Sequence, residues 1–148
     1  MKIIIFLILL ISIFSNSYLN QNWTAENFLT GEFENNLGSH CKLEAKDGKI
    51  SGEYFTKPAL GQLVRPGFPV TGVYTPVKDG ALVTMTVVFQ IIKENEDGLE
   101  RFSHATWNGK VYSKKNDFKL NWLLNSNQIE DKEWCATSLG QDHFKKIK

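Results

Sequence analysis

The chain has 148 residues, with 17 Lys plus Arg against 16 Asp plus Glu, a formal net charge of +1 and 12% aromatic residues. The charges are interspersed along the sequence, which argues against a basic face for nucleic acid and against an acidic disordered tract. The length suits a single domain with one core. The nature of any partner must therefore come from a site rather than from overall charge.

The first residues, 1–17, have the pattern of a secretory signal peptide. Lys2 is followed by the apolar run Ile3–Phe14 and then by the small residues Ser15 and Ser17. The run is shorter than the roughly 20 residues that span a bilayer, although a retained membrane anchor is the alternative interpretation. We expect cleavage after Ser17, a secreted protein in the periplasm or the extracellular space, and a mature domain over residues 18–148.

Alternation of apolar and polar residues predicts eight strands. The clearest is Ser39–Ala45, which has Cys41 and Leu43 on one face. An Asp47-Gly48 pair follows, and this pair favours a tight hairpin to the next strand. In chain order the predicted strands are 31–34, 39–45, 50–56, 70–74, 81–92, 99–112, 118–124 and 134–147.

One connection stands out as long, Lys57–Pro69, and it holds three of the four prolines. The others are short, as in the polar turn Glu94–Gly98. Closing such strands into a barrel removes the exposed edges that an open sheet would leave. The sequence therefore predicts an all-β fold, an eight-stranded antiparallel up-and-down β-barrel with room for its own side chains or for one small ligand.

The same alternation places polar side chains at inward positions that a purely apolar core would not select. These residues are Ser39, Tyr54, Thr56, Ser103 and Asp142. A buried polar group without a partner costs about 1–3 kcal/mol, so several together need each other or a ligand. With the inward rings of Trp107 and Trp122 they predict a pocket with convergent polar groups and aromatic walls. On periodicity alone, a solvated barrel mouth is the alternative.

Several function classes are disfavoured by the sequence. It has no His-Glu-x-x-His helix, no Gly-x-Ser-x-Gly turn and no phosphate-binding glycine loop. Its three histidines, His40, His104 and His143, fall on the predicted outer face. We therefore expect a protein that is not an enzyme and that has no metal site and no cofactor.

The two cysteines fall on different faces of the predicted barrel. Cys41 is in phase with inward Ser39, whereas Cys135 is out of phase with inward Asp142 and should point outward. We expect no disulfide within the chain, and a bridge between subunits through Cys135 stays open. Asn22 lies in a glycosylation sequon, Asn-Trp-Thr, which would matter only in a host that glycosylates.

Four segments resemble the avidin and streptavidin family. They are Leu29–Ser39, which reads Leu-Thr-Gly-Glu-Phe-Glu-Asn-Asn-Leu-Gly-Ser, Gly48–Thr56, Trp122–Leu124, and Trp134–Phe144. Their order and spacing fit the family, and the resemblance extends from Leu29 to Lys148. It implies an avidin-like barrel that binds biotin, as a ligand rather than a cofactor, and that assembles as a homo-oligomer, either a dimer or a tetramer.

The resemblance also implies a role for individual residues. The implied donors to the ureido carbonyl of biotin are Asn35, Ser39 and Tyr54, and the implied acceptors for its nitrogens are Asp142 and Thr56. The implied walls are Phe89, Trp107 and Trp122, with Ser103 near the ligand's carboxylate and Trp134 reaching into a neighbouring subunit's pocket. Preorganised donors in a dry site bind more strongly than the same donors in water.

Three positions depart from the family's pattern. Phe33 and Phe89 stand where the family has tryptophan, and Ala105 replaces a threonine whose hydroxyl approaches the ligand's sulfur. Loss of that contact should cost about 0.5–1.5 kcal/mol. We therefore expect tight binding that is weaker than in the strongest relatives.

Two other functions compete with this one. A lipocalin-like barrel would bind a different small hydrophobic ligand, and an avidin-like structural protein would have lost biotin binding. Neither would require a carboxylate opposite three convergent donors. The predicted outer face carries apolar side chains that a subunit interface could bury. These are Leu82, Val88, Phe102 and Leu139.

Overall fold

A computed structural model of the protein describes residues 23–57, 66–91, 101–126 and 137–148, apart from the side chains of residues 91 and 101. Eight antiparallel strands form a closed barrel in sequence order, which confirms the predicted fold. A short helix, α1 (Ala25–Leu29), precedes them. The strands are β1 (Gly31–Asn35), β2 (His40–Lys46), β3 (Lys49–Phe55), β4 (Phe68–Val77), β5 (Gly80–Ile91), β6 (Arg101–Tyr112), β7 (Asp117–Ser126) and β8 (Thr137–Lys146).

The first hairpin shows how local sequence sets the register. Asp47 and Gly48 have φ values of 50° and 79°, as a tight turn with the hand of the strand twist requires. The turn pairs Lys46 with Lys49 and carries the pairing along to His40 and Phe55. Alternate residues of β2 are buried as a result, which confirms the predicted period of two.

The barrel closes where the first and last strands, β1 and β8, pair. Asn35 of β1 pairs with Phe144 of β8, and the pairing extends to Phe33 with Lys146. Closure gives every described strand a neighbour on each side, so none of them is an edge strand that could recruit another chain. It also brings the β1–β2 turn beside the middle of β8.

The helix α1 lies at the end of the barrel opposite the β1–β2 turn. Thr24 caps its first turn by accepting the N–H of Asn27 at 3.1 Å. Its side chain Phe28 meets Phe118 with ring centroids 5.8 Å apart, and Phe33 meets the same ring at 5.3 Å. Phe33 is fully buried. Aromatic packing therefore fills this end, and polar inward residues concentrate toward the other.

The main differences from the prediction concern α1 and β4. No helix was predicted at Ala25–Leu29. The strand predicted at 70–74 spans Phe68–Val77, so β4 begins inside the segment Lys57–Pro69 that was predicted as a loop and ends three residues later than predicted. Proline is tolerated at the start of a strand because its missing N–H there breaks no ladder bond, and Pro69 is the second residue of β4.

Some predictions fall on residues outside the described ranges. These are the signal peptide 1–17, the sequon at Asn22, most of the loop after Lys57, the turn Glu94–Gly98, Trp134 and Cys135. No helix in the described part of the chain combines the length and the apolar character needed to cross a bilayer.

Candidate functional site

The β1–β2 turn presents Asn35 to the barrel interior. The side-chain oxygen of Asn35 accepts two backbone N–H groups of its own turn, from Leu37 at 3.0 Å and from Ser39 at 2.9 Å. An asparagine that binds its own backbone in this way stabilises a tight turn. The amide is thereby held in one orientation, with its Nδ2 group directed inward.

That amide nitrogen links three strands. Nδ2 of Asn35 donates to the phenolic oxygen of Tyr54 at 3.1 Å and to Oδ2 of Asp142 at 3.1 Å. The indole N–H of Trp107 donates to the same Oδ2 at 2.9 Å. The structure therefore brings together four of the residues predicted for the site, from β1, β3, β6 and β8.

The two oxygens of Asp142 differ in their surroundings. Oδ2 has two donors, whereas Oδ1 is buried and has no hydrogen-bond partner in the described structure. Asp142 is only 3% exposed. A buried acceptor without a hydrogen bond costs free energy in a folded protein. The free oxygen of Asp142 is therefore a candidate acceptor for a donor group of a ligand.

Ser39 completes the polar cluster. It is fully buried, lies beside Tyr54, and accepts the backbone N–H of Lys57 on its Oγ at 3.1 Å. Burial raises the pKa of Tyr54 well above its ordinary value, because the phenolate would be poorly solvated. Tyr54 therefore stays protonated at neutral pH and can act as a donor.

Aromatic rings form the wall beside the polar cluster. The Tyr54 ring lies 5.2 Å from that of Trp107 and 5.8 Å from that of Phe89. Phe68 meets Phe89 edge to face at 5.1 Å. The sequence prediction missed Phe68 because it lies among prolines, although its phase with buried Val70 was a usable signal.

Trp122 supplies a second wall. It pairs with Trp107 on β6 and with Gly140 on β8, and its ring is half-buried. A Cβ atom at Gly140 would lie 2.3 Å from this ring. The lack of a side chain at Gly140 therefore makes room for the indole.

The remaining predicted residues lie nearer the mouth, outside this hydrogen-bonded cluster. Ser103 is half-buried and donates to the hydroxyl of Ser126 at 2.9 Å. Thr56 is half-buried just after β3. Ala105 is buried between its neighbours on β5 and β7, so a methyl group takes the place of the expected hydroxyl.

Cys41 lies under the polar cluster as a free, buried thiol. Burial, with a smaller contribution from the Asp142 carboxylate, raises the pKa of Cys41 to about 12. The thiol is therefore a small apolar packing group at neutral pH rather than a nucleophile.

A closed eight-stranded barrel that encloses a buried polar cluster, aromatic side chains and a carboxylate oxygen with no partner among the described residues has the architecture of an avidin-like ligand-binding protein. A family model described as the avidin family matches residues 23–147. The match covers nearly the whole chain, which therefore belongs to the avidin family. No protein among the curated sequences matches the chain significantly.

Proposed function

We propose that this protein binds biotin tightly and catalyses no reaction. The observation that carries the proposal is Oδ1 of Asp142, a buried acceptor with no partner among the described residues, beside three groups able to donate. The ureido group of biotin presents the complement, a carbonyl acceptor between two N–H donors. One N–H donates to Oδ1 of Asp142, and the other donates to the hydroxyl of Thr56.

The carbonyl oxygen of the ligand receives hydrogen bonds from Asn35, Ser39 and Tyr54. In the structure Nδ2 of Asn35 donates to the phenolic oxygen of Tyr54 at 3.1 Å. Binding exchanges this internal bond for bonds to the ligand, so the donors need little reorientation. The carboxylate of Asp142 and the amide of Asn35, which its own turn holds in place, are both buried and therefore form stronger hydrogen bonds than the same groups in water.

The apolar parts of the ligand pack on the aromatic wall. Phe89, Trp107 and Trp122 flank the bicyclic ring and the valeryl chain, and the hydroxyl of Ser103 lies toward the carboxylate. The Phe68 ring supports Phe89 from the side, with centroids 5.1 Å apart. A phenylalanine pair thus stands where the family has a single larger indole.

The test is a calorimetric titration of the purified protein with biotin, combined with thermal unfolding. We expect one biotin per chain and an upward shift of the melting temperature, since a ligand at 100 times its Kd stabilises by about 2.7 kcal/mol. Absence of both heat and thermal shift at excess biotin would overturn the proposal. A fatty acid that binds where biotin does not would instead favour a lipocalin-like function.

We also propose a homo-oligomer that buries the outer face of β5 to β8. From Leu82 to Gln90 on β5 and from Phe102 to Asn108 on β6, no outward side chain is an acid or a lysine or arginine, whereas β2 and β3 alternate charges outward. Leu139 is 74% exposed and Val88 is 58% exposed. A neutral, partly apolar face of this kind suits a second copy of the same chain.

Light scattering tests the assembly, with Val88→Asp and Leu139→Asp as variants. We expect a mass above the monomer for the wild type and a monomeric mass for the variants. A monomeric wild type would overturn the oligomer and leave the biotin site to be judged by its own titration. Trp134 remains predicted to complete the neighbouring site, and secretion after removal of residues 1–17 is proposed from the pattern of that segment.

A further inference from the structure

Two consecutive asparagines at the end of β1, Asn35 and Asn36, hydrogen-bond to β8, one on the inner and one on the outer face of the barrel. Asn35 reaches inward, and its Nδ2 donates to Oδ2 of Asp142 at 3.1 Å. Asn36 reaches outward to the next residue of β8, His143. Its backbone N–H donates to the carbonyl of His143 at 3.1 Å, and its side-chain oxygen accepts the N–H of His143 at 3.0 Å.

The hydrogen bonds between Asn36 and His143 continue the contact of β1 with β8 beyond the last pair of the ladder. The β1–β8 pairing stops at Asn35 with Phe144, and the chain then turns away into β2. The side chain of Asn36 supplies the acceptor that the ladder no longer provides for the N–H of His143. His143 is held on its other side as well, because its ring hydrogen-bonds to Asp117 at 2.7 Å.

The hydrogen bond from the His143 N–H to Asn36 also constrains Asp142, through the peptide bond that joins Asp142 to His143. The N–H of His143 belongs to the planar peptide unit that contains the carbonyl and the Cα of Asp142. A hydrogen bond to that N–H therefore fixes the plane from which the Asp142 side chain projects. Asn36 thus limits the freedom of the carboxylate without touching it.

We propose that Asn36 is a positioning residue that aims the free oxygen of Asp142 at the ligand. The inference rests on the proposed binding of biotin, since it assigns Asn36 a role in that same site. Asn36 is exposed, so its substitution removes no core packing, and the hydrogen bond from its backbone N–H to His143 is retained. Its effect reaches the ligand through the direction of one hydrogen bond.

Asn36→Ala should weaken biotin binding by about threefold to tenfold, mainly through faster dissociation, which is the factor that one ordinary hydrogen bond represents. Asn36→Asp should restore most of the affinity, because it keeps an acceptor oxygen for His143. The matched control is Glu34→Ala, which removes an exposed contact of β1 with His40 on β2, at 3.7 Å, away from the proposed subunit interface. The control should bind as the wild type does.

A double-mutant cycle separates positioning from general loosening. In an Asp142→Asn background the further change Asn36→Ala should alter affinity by less than about twofold, because the oxygen that it aims is gone. Full additivity, or wild-type affinity in Asn36→Ala alone, would overturn the positioning role while leaving biotin binding intact. Hydrogen exchange of the His143 amide adds a readout without ligand. Unchanged protection of this amide in Asn36→Ala would show that Asn36 does not hold His143, even if the wild type failed to bind biotin.

Discussion

Replacing Asp142 by asparagine separates the two functions of this carboxylate. Oδ2 accepts from Asn35 and Trp107, and Oδ1 has no partner in the structure as described. The new side chain keeps both internal bonds only when its amide oxygen takes the place of Oδ2. Its NH2 group then takes the place of Oδ1 and faces the ligand's N–H, a donor opposite a donor.

The expected magnitude follows from the loss of one charge-assisted hydrogen bond. Such bonds contribute about 1.5–3 kcal/mol, which corresponds to about a 10-fold to 150-fold change in Kd. The opposed donors add to this loss, so we expect binding to weaken by about 100-fold or more. The free energy of unfolding without ligand should change by less than about 1 kcal/mol, since two internal bonds weaken while a buried charge is removed.

Calorimetric titration measures the affinity, and denaturant unfolding without ligand measures the stability. Glu34→Gln serves as the control, because it neutralises an exposed carboxylate on the outer face of β1 and should change neither quantity appreciably. A folded Asp142→Asn protein that retained wild-type affinity would show that no ligand N–H is received at Oδ1. The orientation proposed for biotin would then be wrong.

Three further outcomes follow from the described geometry. Gly140→Ala should displace the Trp122 ring, because a Cβ at this position would lie 2.3 Å from it. We expect altered tryptophan fluorescence and weaker biotin binding. Unchanged fluorescence and affinity would refute the contact. In a Cys135→Ser background the Cys41 thiol, whose pKa is raised to about 12 by burial, should react with a thiol reagent only after denaturation, and rapid labelling of the native protein would contradict its burial. The hydrogen bond with His143 lowers the pKa of Asp117 below its ordinary value. Its contribution to stability is therefore present at pH values above the ordinary pKa and is lost as the pH falls through the lowered pKa. Melting temperatures measured in acid should show this loss, and Asp117→Asn should make the melting temperature less dependent on pH there.

The sequence was sufficient to predict which side chains face inward. Burial on one side of a strand imposes a period of two, and that period is visible in the order of residues around Cys41 and around Trp107. Turn chemistry at Asp47-Gly48 then set the register of the first hairpin. Closure followed from the need to pair every edge, so the barrel could be predicted with its strand count.

The parts that were missed lacked such a period. A helix of five residues, α1, is too short to show a helical repeat, although Thr24 supplied a capping signal before it. Phe68 was hidden by the prolines on either side of it. Periodicity gives the face on which a residue lies but not its position around the barrel, so the contact of Asn35 with Asp142 required the closed structure.

The hydrogen bond between Asn35 and Asp142 crosses the seam between the first and the last strand. It joins two residues of the candidate site that are 107 positions apart in the sequence. That seam is the shortest strand pairing in the described barrel. Contacts so distant in sequence require closure of almost the entire chain, and their formation is slow for that reason. Before β1 and β8 pair, the proposed site does not exist, so biotin bound as we propose would stabilise only molecules whose barrel has closed.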